Sequence, residues 1–122
     1  MGNGTLIAES LQVGLRLTGV PLFLVSIDRS EAGDTSLGQP LVWTLIEFEF
    51  DDAIAPDLAQ ALSEVLDEQL GWYCDFRTDS ETFVVFARRV FRYHRGDIDG
   101  RADAAAYARS RGVPDSQLDW PV

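Results

Sequence analysis

Lysine is missing from this 122-residue chain, and cysteine, histidine and methionine occur once each. All ten basic residues are therefore arginine, which with plentiful Ala, Gly and Asp reads as the codon usage of a GC-rich genome. The lone Cys74 excludes an internal disulfide and any multi-cysteine metal site, and it gives no support for secretion. No apolar run approaches the roughly 20 residues that span a bilayer. The start, MGNGTLIAES, lacks a cationic stretch followed by an apolar one, so no signal peptide is read there and cytoplasmic residence is the expectation. A net charge of −10 repels a phosphate backbone, which argues against nucleic acid as a partner; no membrane partner is expected either.

Hydrophobic residues make up 46% of the chain, too many for a disordered segment, and the length fits one domain over residues 1–122. The charge is unevenly spread. Residues 1–75 hold 13 Asp/Glu against 2 Arg, and residues 76–122 hold 7 against 8, giving −11 and +1. Aromatic and β-branched residues crowd into Gly71 to Arg95, where the sign changes.

The residues order into strands and helices as follows. Ile7, Leu11, Val13, Leu15 and Leu17 alternate onto one face, which reads as a strand bent near Gly14, with a short helix over Thr5 to Gln12 as the other option. Through the turn at Thr18-Gly19-Val20-Pro21 this strand is expected to pair as a hairpin with LFLVSID. Residues 30–40, SEAGDTSLGQP, read as a mobile loop. In VWTLIEFEF, Val42, Thr44, Ile46, Phe48 and Phe50 face one way and Trp43, Leu45, Glu47 and Glu49 the other. Pro56 suits the first turn of a helix carrying Leu58, Leu62, Val65, Leu66 and Leu70 at helical spacing until Gly71. The strand WYCDFR, a turn at Thr78 to Glu81 and the run TFVVFARRVFRY follow; residues 83–93 are either one bulged strand or two joined around Ala87 to Arg89. A second helix is expected from an Asp99 cap to about Arg111, with Ala102, Ala105, Ala106 and Ala108 inward and Gly112 as its stop. Leu118 and Trp120 are candidate anchors for the tail. The fold class is α+β, order β-β-β-α-β-β-α, with a mostly antiparallel sheet, two helices on one face and a partly ferredoxin-like unit over residues 42–111.

A thiol nucleophile with its base would have to be Cys74 and His94. If the turn at Thr78 to Glu81 pairs residues whose numbers sum to 159, Cys74 lies opposite Val85, and His94 is roughly 14 to 30 Å away, too far for proton transfer. No catalytic residue, metal site or cofactor is assigned, and the reading leans away from an enzyme. Glu47 and Glu49 are spaced about 7 Å apart on one strand face, most simply as solvated carboxylates. With Trp43 and Leu45 beside them they form a candidate partner-binding surface of mixed character. Arg88, Arg89, Arg92 and Arg95, with His94 among them, form the basic cluster; Arg88, Arg92 and His94, which would share one face of a single strand, are a candidate site for a small anion, although pairing with carboxylates of the same or a second copy is the simpler role. Arg95-Gly96-Asp97 is read as a chance tripeptide. Asp97-Ile98-Asp99-Gly100 has its Gly too early for a calcium loop and is read as a turn with a helix cap.

The strings GWYCDF, TFVVFARRVFRYHRGD and GVPDSQLDW together resemble a group of small actinobacterial proteins, over most of the chain. The resemblance implies a bacterial, single-domain, cytoplasmic protein and carries over no activity. In such sequences Gly is expected in place of Ala87-Arg88, which would favour a tight turn.

The leading functional reading is a non-enzymatic interaction module whose acidic half binds a basic protein, as a regulatory or immunity-type partner does. The alternative is an α+β domain that binds or transforms a small anionic ligand in an aromatic cleft with Arg88, Arg92 or His94. A third reading is a homodimer in which the acidic strand of one copy meets the arginines of another.

Overall fold

A computed structural model describes all residues, Met1 to Val122. Six strands form one sheet: β1 (Gly2–Ile7), β2 (Phe23–Glu31), β3 (Val42–Phe50), β4 (Cys74–Arg77), β5 (Glu81–Phe86) and β6 (Arg89–His94). Helix α1 is Ala55–Val65 and helix α2 is Ile98–Ser110. The sheet order is β2-β3-β1-β4-β5-β6, with every neighbour antiparallel. No helix is long and apolar enough to cross a membrane.

The first strand departs from the sequence reading. Residues 11–20 do not continue it, and it pairs not with β2 but with β3 on one side and β4 on the other. Room is the reason. A Cβ on Gly4 would stand 2.6 Å from the Cβ of Phe76 and 2.8 Å from the ring of Phe48, and one on Gly2 would run into the ring of Phe50. Large aromatics from both neighbouring strands close over a centre that has no side chains, and glycine's weak strand preference is overridden by that packing. β2 pairs with β3 alone, with a bulge between Leu24 and Ser26.

β3 and β4 run the same way, α1 joins them, and β1 fills the place between them. This is a split crossover like that of a ferredoxin-like unit, except that the N-terminal strand, and not β5, lies between the crossover strands. The order also sorts the charge in space. The three N-terminal strands form one half of the sheet and the three C-terminal strands the other, so the acidic and neutral parts of the sequence lie side by side.

The class is α+β as expected, but the two helices do not share one face: they divide between the two faces of the sheet. α1 packs Leu58, Ala59 and Leu62 against Phe48, Phe50, Phe76, Phe83 and Val85. α2 packs Ala104, Ala105 and Ala108 against Val84, Phe86 and Tyr93 on the other side, with Val113, Leu118 and Trp120. Successive residues of β5 point to opposite faces and are buried on both, so each face needs its own cover. Of the alanines expected inward on α2, Ala105 and Ala108 are buried whereas Ala102 and Ala106 are exposed, and Ala104 takes the third buried place. Its cap is Asp97, whose carboxylate accepts from the Gly100 N–H at 3.0 Å. α1 ends at Val65 instead of running to Leu70, because Leu66 turns out to bridge Leu11.

Residues 83–93 form two strands, with Ala87 and Arg88 as the turn between Phe86 and Arg89. Arg88 takes the left-handed conformation, φ 58°, in which glycine is the easier residue. Residues 30–40 begin as the end of β2 and carry two buried polar anchors. Gln39 donates to the Leu70 carbonyl at 2.7 Å, and the Ser36 hydroxyl to the Gly112 carbonyl at 3.0 Å.

Candidate functional site: an acidic sheet face

α2 and the tail cover only the β4–β6 part of their face, and the rest of that face is open. Register places its residues. Glu49 stands opposite Asn3, Glu47 opposite Thr5, and Asn3 opposite Arg77. Asp75 lies two residues before Arg77, and so on the same face. Together with Val25 and Asp119 they line a hollow of ≈ 600 Å³ containing four carboxylates and one guanidinium. A second hollow of ≈ 280 Å³ shares Thr5, Asp75 and Asp119 and adds Ile7, Trp43, Leu45 and Tyr73. Trp43 packs its ring 5.6 Å from that of Trp72 and donates its indole N–H to the Pro40 carbonyl at 2.9 Å, so the apolar end is firmly seated.

The wall that carries Asp119 is latched by four hydrogen bonds from three side chains. Tyr73 donates to the Gln117 carbonyl at 3.0 Å and Tyr93 to the Pro121 carbonyl at 2.7 Å. Arg101 donates to the carbonyls of Leu118 at 2.6 Å and Trp120 at 2.9 Å. Asp75 sits where wall and floor meet. Burial pushes its carboxyl up to about 6; Arg77, 3.7 Å away, pulls it down and Asp119 pushes it further up. The floor is thus rich in negative charge that is imperfectly compensated within the chain.

Trp43, Leu45, Glu47 and Glu49, the expected partner-binding set, share this face and line the two joined hollows. Asp75, Asp119, Asn3, Thr5 and Arg77 join them without being marked as site residues by the sequence. The alternation of Asp75 with Arg77 could have placed those two, whereas Asp119 carried no signal beyond its place next to the Trp120 anchor.

The basic cluster is dispersed. Arg92 forms a two-pronged pair with Glu81, at 2.5 and 2.8 Å, and its guanidinium lies over the Phe83 ring. That pair holds the Glu81 carboxyl below its ordinary range, the Arg92 hydrogen bond being the main cause. Arg88 pairs with Glu68 at 3.0 Å. Arg88 and Arg92 line different clefts and His94 lines neither, so no common anion pocket is formed by the three. Arg89, stacked over the Phe91 and Tyr107 rings, shares with Arg92 a cleft that also contains Asp103.

Cys74 lies opposite Val85, and Val85 opposite Val90. His94 is four residues further along, so the two are separated by about 13 Å along the strands and 10 Å across them. The thiol is fully buried, gives a weak hydrogen bond to the Thr5 carbonyl at 3.5 Å, and is pushed up by burial, with Asp75 adding to the effect. Both features oppose thiolate chemistry.

Comparisons with protein-family models, with curated proteins and with solved structures give no match to this chain.

Proposed function

We propose that the protein is a non-enzymatic interaction module that receives a basic protein on its open sheet face. One observation carries the reading: Glu47, Glu49, Asp75 and Asp119 converge on one hollow that continues into an apolar end at Trp43 and Leu45. Clustered carboxylates, of which Asp75 alone is largely withdrawn from water, set beside an aromatic anchor are what an Arg- or Lys-rich partner surface would complement, giving speed and selectivity of encounter through charge and adhesion through the anchor. Arg92 and Arg88 of the basic cluster are already committed to Glu81 and Glu68, which weakens the case for an anionic ligand there.

The test is capture from host lysate at low ionic strength by the wild type and by the double variant Glu47→Lys/Glu49→Lys. Both residues are exposed, so the fold should tolerate the change. The reading expects a basic protein that binds the wild type, is released by salt, and is lost with the variant. Equal recovery by both forms would overturn it.

A further inference from the structure

Beside this acidic face lies the sheet's free margin. β2 is the terminal strand, and its backbone makes no hydrogen bonds apart from those to β3. Four of its first five residues are large and apolar yet open to water: Phe23 is 61% exposed, Leu24 63%, Val25 52% and Ile27 60%. An edge of unpaired N–H and C=O groups flanked by exposed apolar side chains is a template for another strand. The bulge at Leu24 to Ser26 limits regular pairing to Ser26–Glu31 and turns Val25 into the acidic hollow, so edge and hollow are continuous.

We propose that the basic partner engages by strand addition: an extended segment pairs with the outer edge of β2 and lays its cationic side chains over the acidic face. The proposal rests on the function given above and specifies how the partner binds. Register defines the segment's chemistry. Ser26 and Asp28 lie on the acidic face, opposite Glu47 and Leu45, whereas Ile27 lies on the α1 face, opposite Ile46. An added strand therefore places alternate residues beside Asp28, about 10 Å from the line of Glu47 and Glu49, within the combined reach of an arginine and a glutamate. The intervening residues fall beside Ile27 and, further along, Arg29 and Glu31. The matching sequence alternates Arg or Lys with residues that favour strands, such as Val.

Charge selects this occupant over a second copy. Pairing of β2 with β2 would bring together two halves that each carry −11. Pairing of β2 with the opposite edge, β6, would rely on Arg92, which is bound to Glu81, and Arg89, which is stacked on Phe91 and Tyr107.

The probe is an acetylated, amidated octapeptide of alternating valine and arginine, with two analogues N-methylated on one or the other set of alternate peptide nitrogens. Strand addition expects the parent peptide to bind in fluorescence anisotropy, one analogue to bind at least tenfold more weakly and the other nearly as well, since only one set of donors faces β2. Amide exchange should slow within Ser26–Glu31, and Glu47→Lys/Glu49→Lys should weaken the parent at least tenfold. If both analogues bind like the parent while the double variant still weakens binding, strand addition is wrong and the acidic-face reading stands. Binding that ignores the double variant removes the acidic-face reading and this inference with it. Absence of peptide binding overturns strand addition, as does a concentration-dependent rise in mass with protection of β2 in the protein alone, which would assign the edge to a second copy.

Discussion

The backbone N–H of Arg88 donates to the Ser63 carbonyl at 2.8 Å, fastening the β5–β6 turn to the last turn of α1. That bond holds a non-glycine residue at φ 58°, a conformation that costs an L side chain about 1–2 kcal/mol. Arg88→Gly removes the strain and keeps the N–H, while giving up an exposed pair with Glu68 that contributes at most about 1 kcal/mol. Denaturant unfolding should show Arg88→Gly unchanged or more stable by up to about 1 kcal/mol, and Arg88→Val, which is branched at Cβ, less stable by at least about 1 kcal/mol.

Gly4 should be intolerant for the opposite reason, lack of space. A methyl group there meets Phe76 and Phe48 within 3 Å, and the Asp75 carbonyl at 3.0 Å. Overpacking of this kind costs about 1–3 kcal/mol, so Gly4→Ala should lower the unfolding midpoint clearly. Gly33→Ala, where nothing lies within 4 Å, serves as the neutral control.

Asp75 should make stability fall with rising pH. Its folded carboxyl titrates near 6 and its unfolded one near 3.8, so between those values the native state holds a proton that the unfolded chain has released. The group's contribution is most favourable below about pH 4 and is lost as pH rises through 6, by about 1–2 kcal/mol once partial solvent access is allowed for. Glu9 and Glu81, whose carboxyls are lowered, act in the other sense, so the whole-protein curve mixes the two. Comparing Asp75→Asn with the wild type isolates the term: the variant should gain about 1 kcal/mol at pH 7 over its effect at pH 4. The same stability difference at both pH values would contradict the assignment.

Trp120 should be the most sensitive residue of the tail. It is buried against Tyr73, with ring centroids 5.6 Å apart, and Trp120→Ala should cost about 3–5 kcal/mol. Its indole N–H has no acceptor, so Trp120→Phe loses no hydrogen bond and should cost much less. A thermal-shift comparison of the two separates packing from polar anchoring.

Legibility in the sequence followed how local each signal was. The two faces of β3 and the Cys74–Val85 register could be read because alternation and a short turn determine them without reference to other elements. β1 could not, since its glycines make sense only once Phe48, Phe50 and Phe76 are known to converge on them. The α2 cap was misplaced by two residues because Asp97 and Asp99 are chemically equal candidates, and only the reach of a carboxylate to the Gly100 N–H separates them. At the candidate site, one strand supplied Trp43, Leu45, Glu47 and Glu49 together, whereas Asp75 and Asp119 arrive from elsewhere in the chain through topology. The expectation of both helices on one face fails at the run Phe83, Val84, Val85, Phe86, whose unbroken apolar character requires cover on both sides.

That doubly covered strand has a consequence for how the molecule comes apart. Because neighbouring residues of β5 serve different layers, neither layer can dissolve without stripping the back of the other, and damage at Val84 is transmitted to the side that Val84 never touches. Heat should therefore remove both helices in a single step, and the last amides to exchange with solvent should be those of Glu81–Phe86.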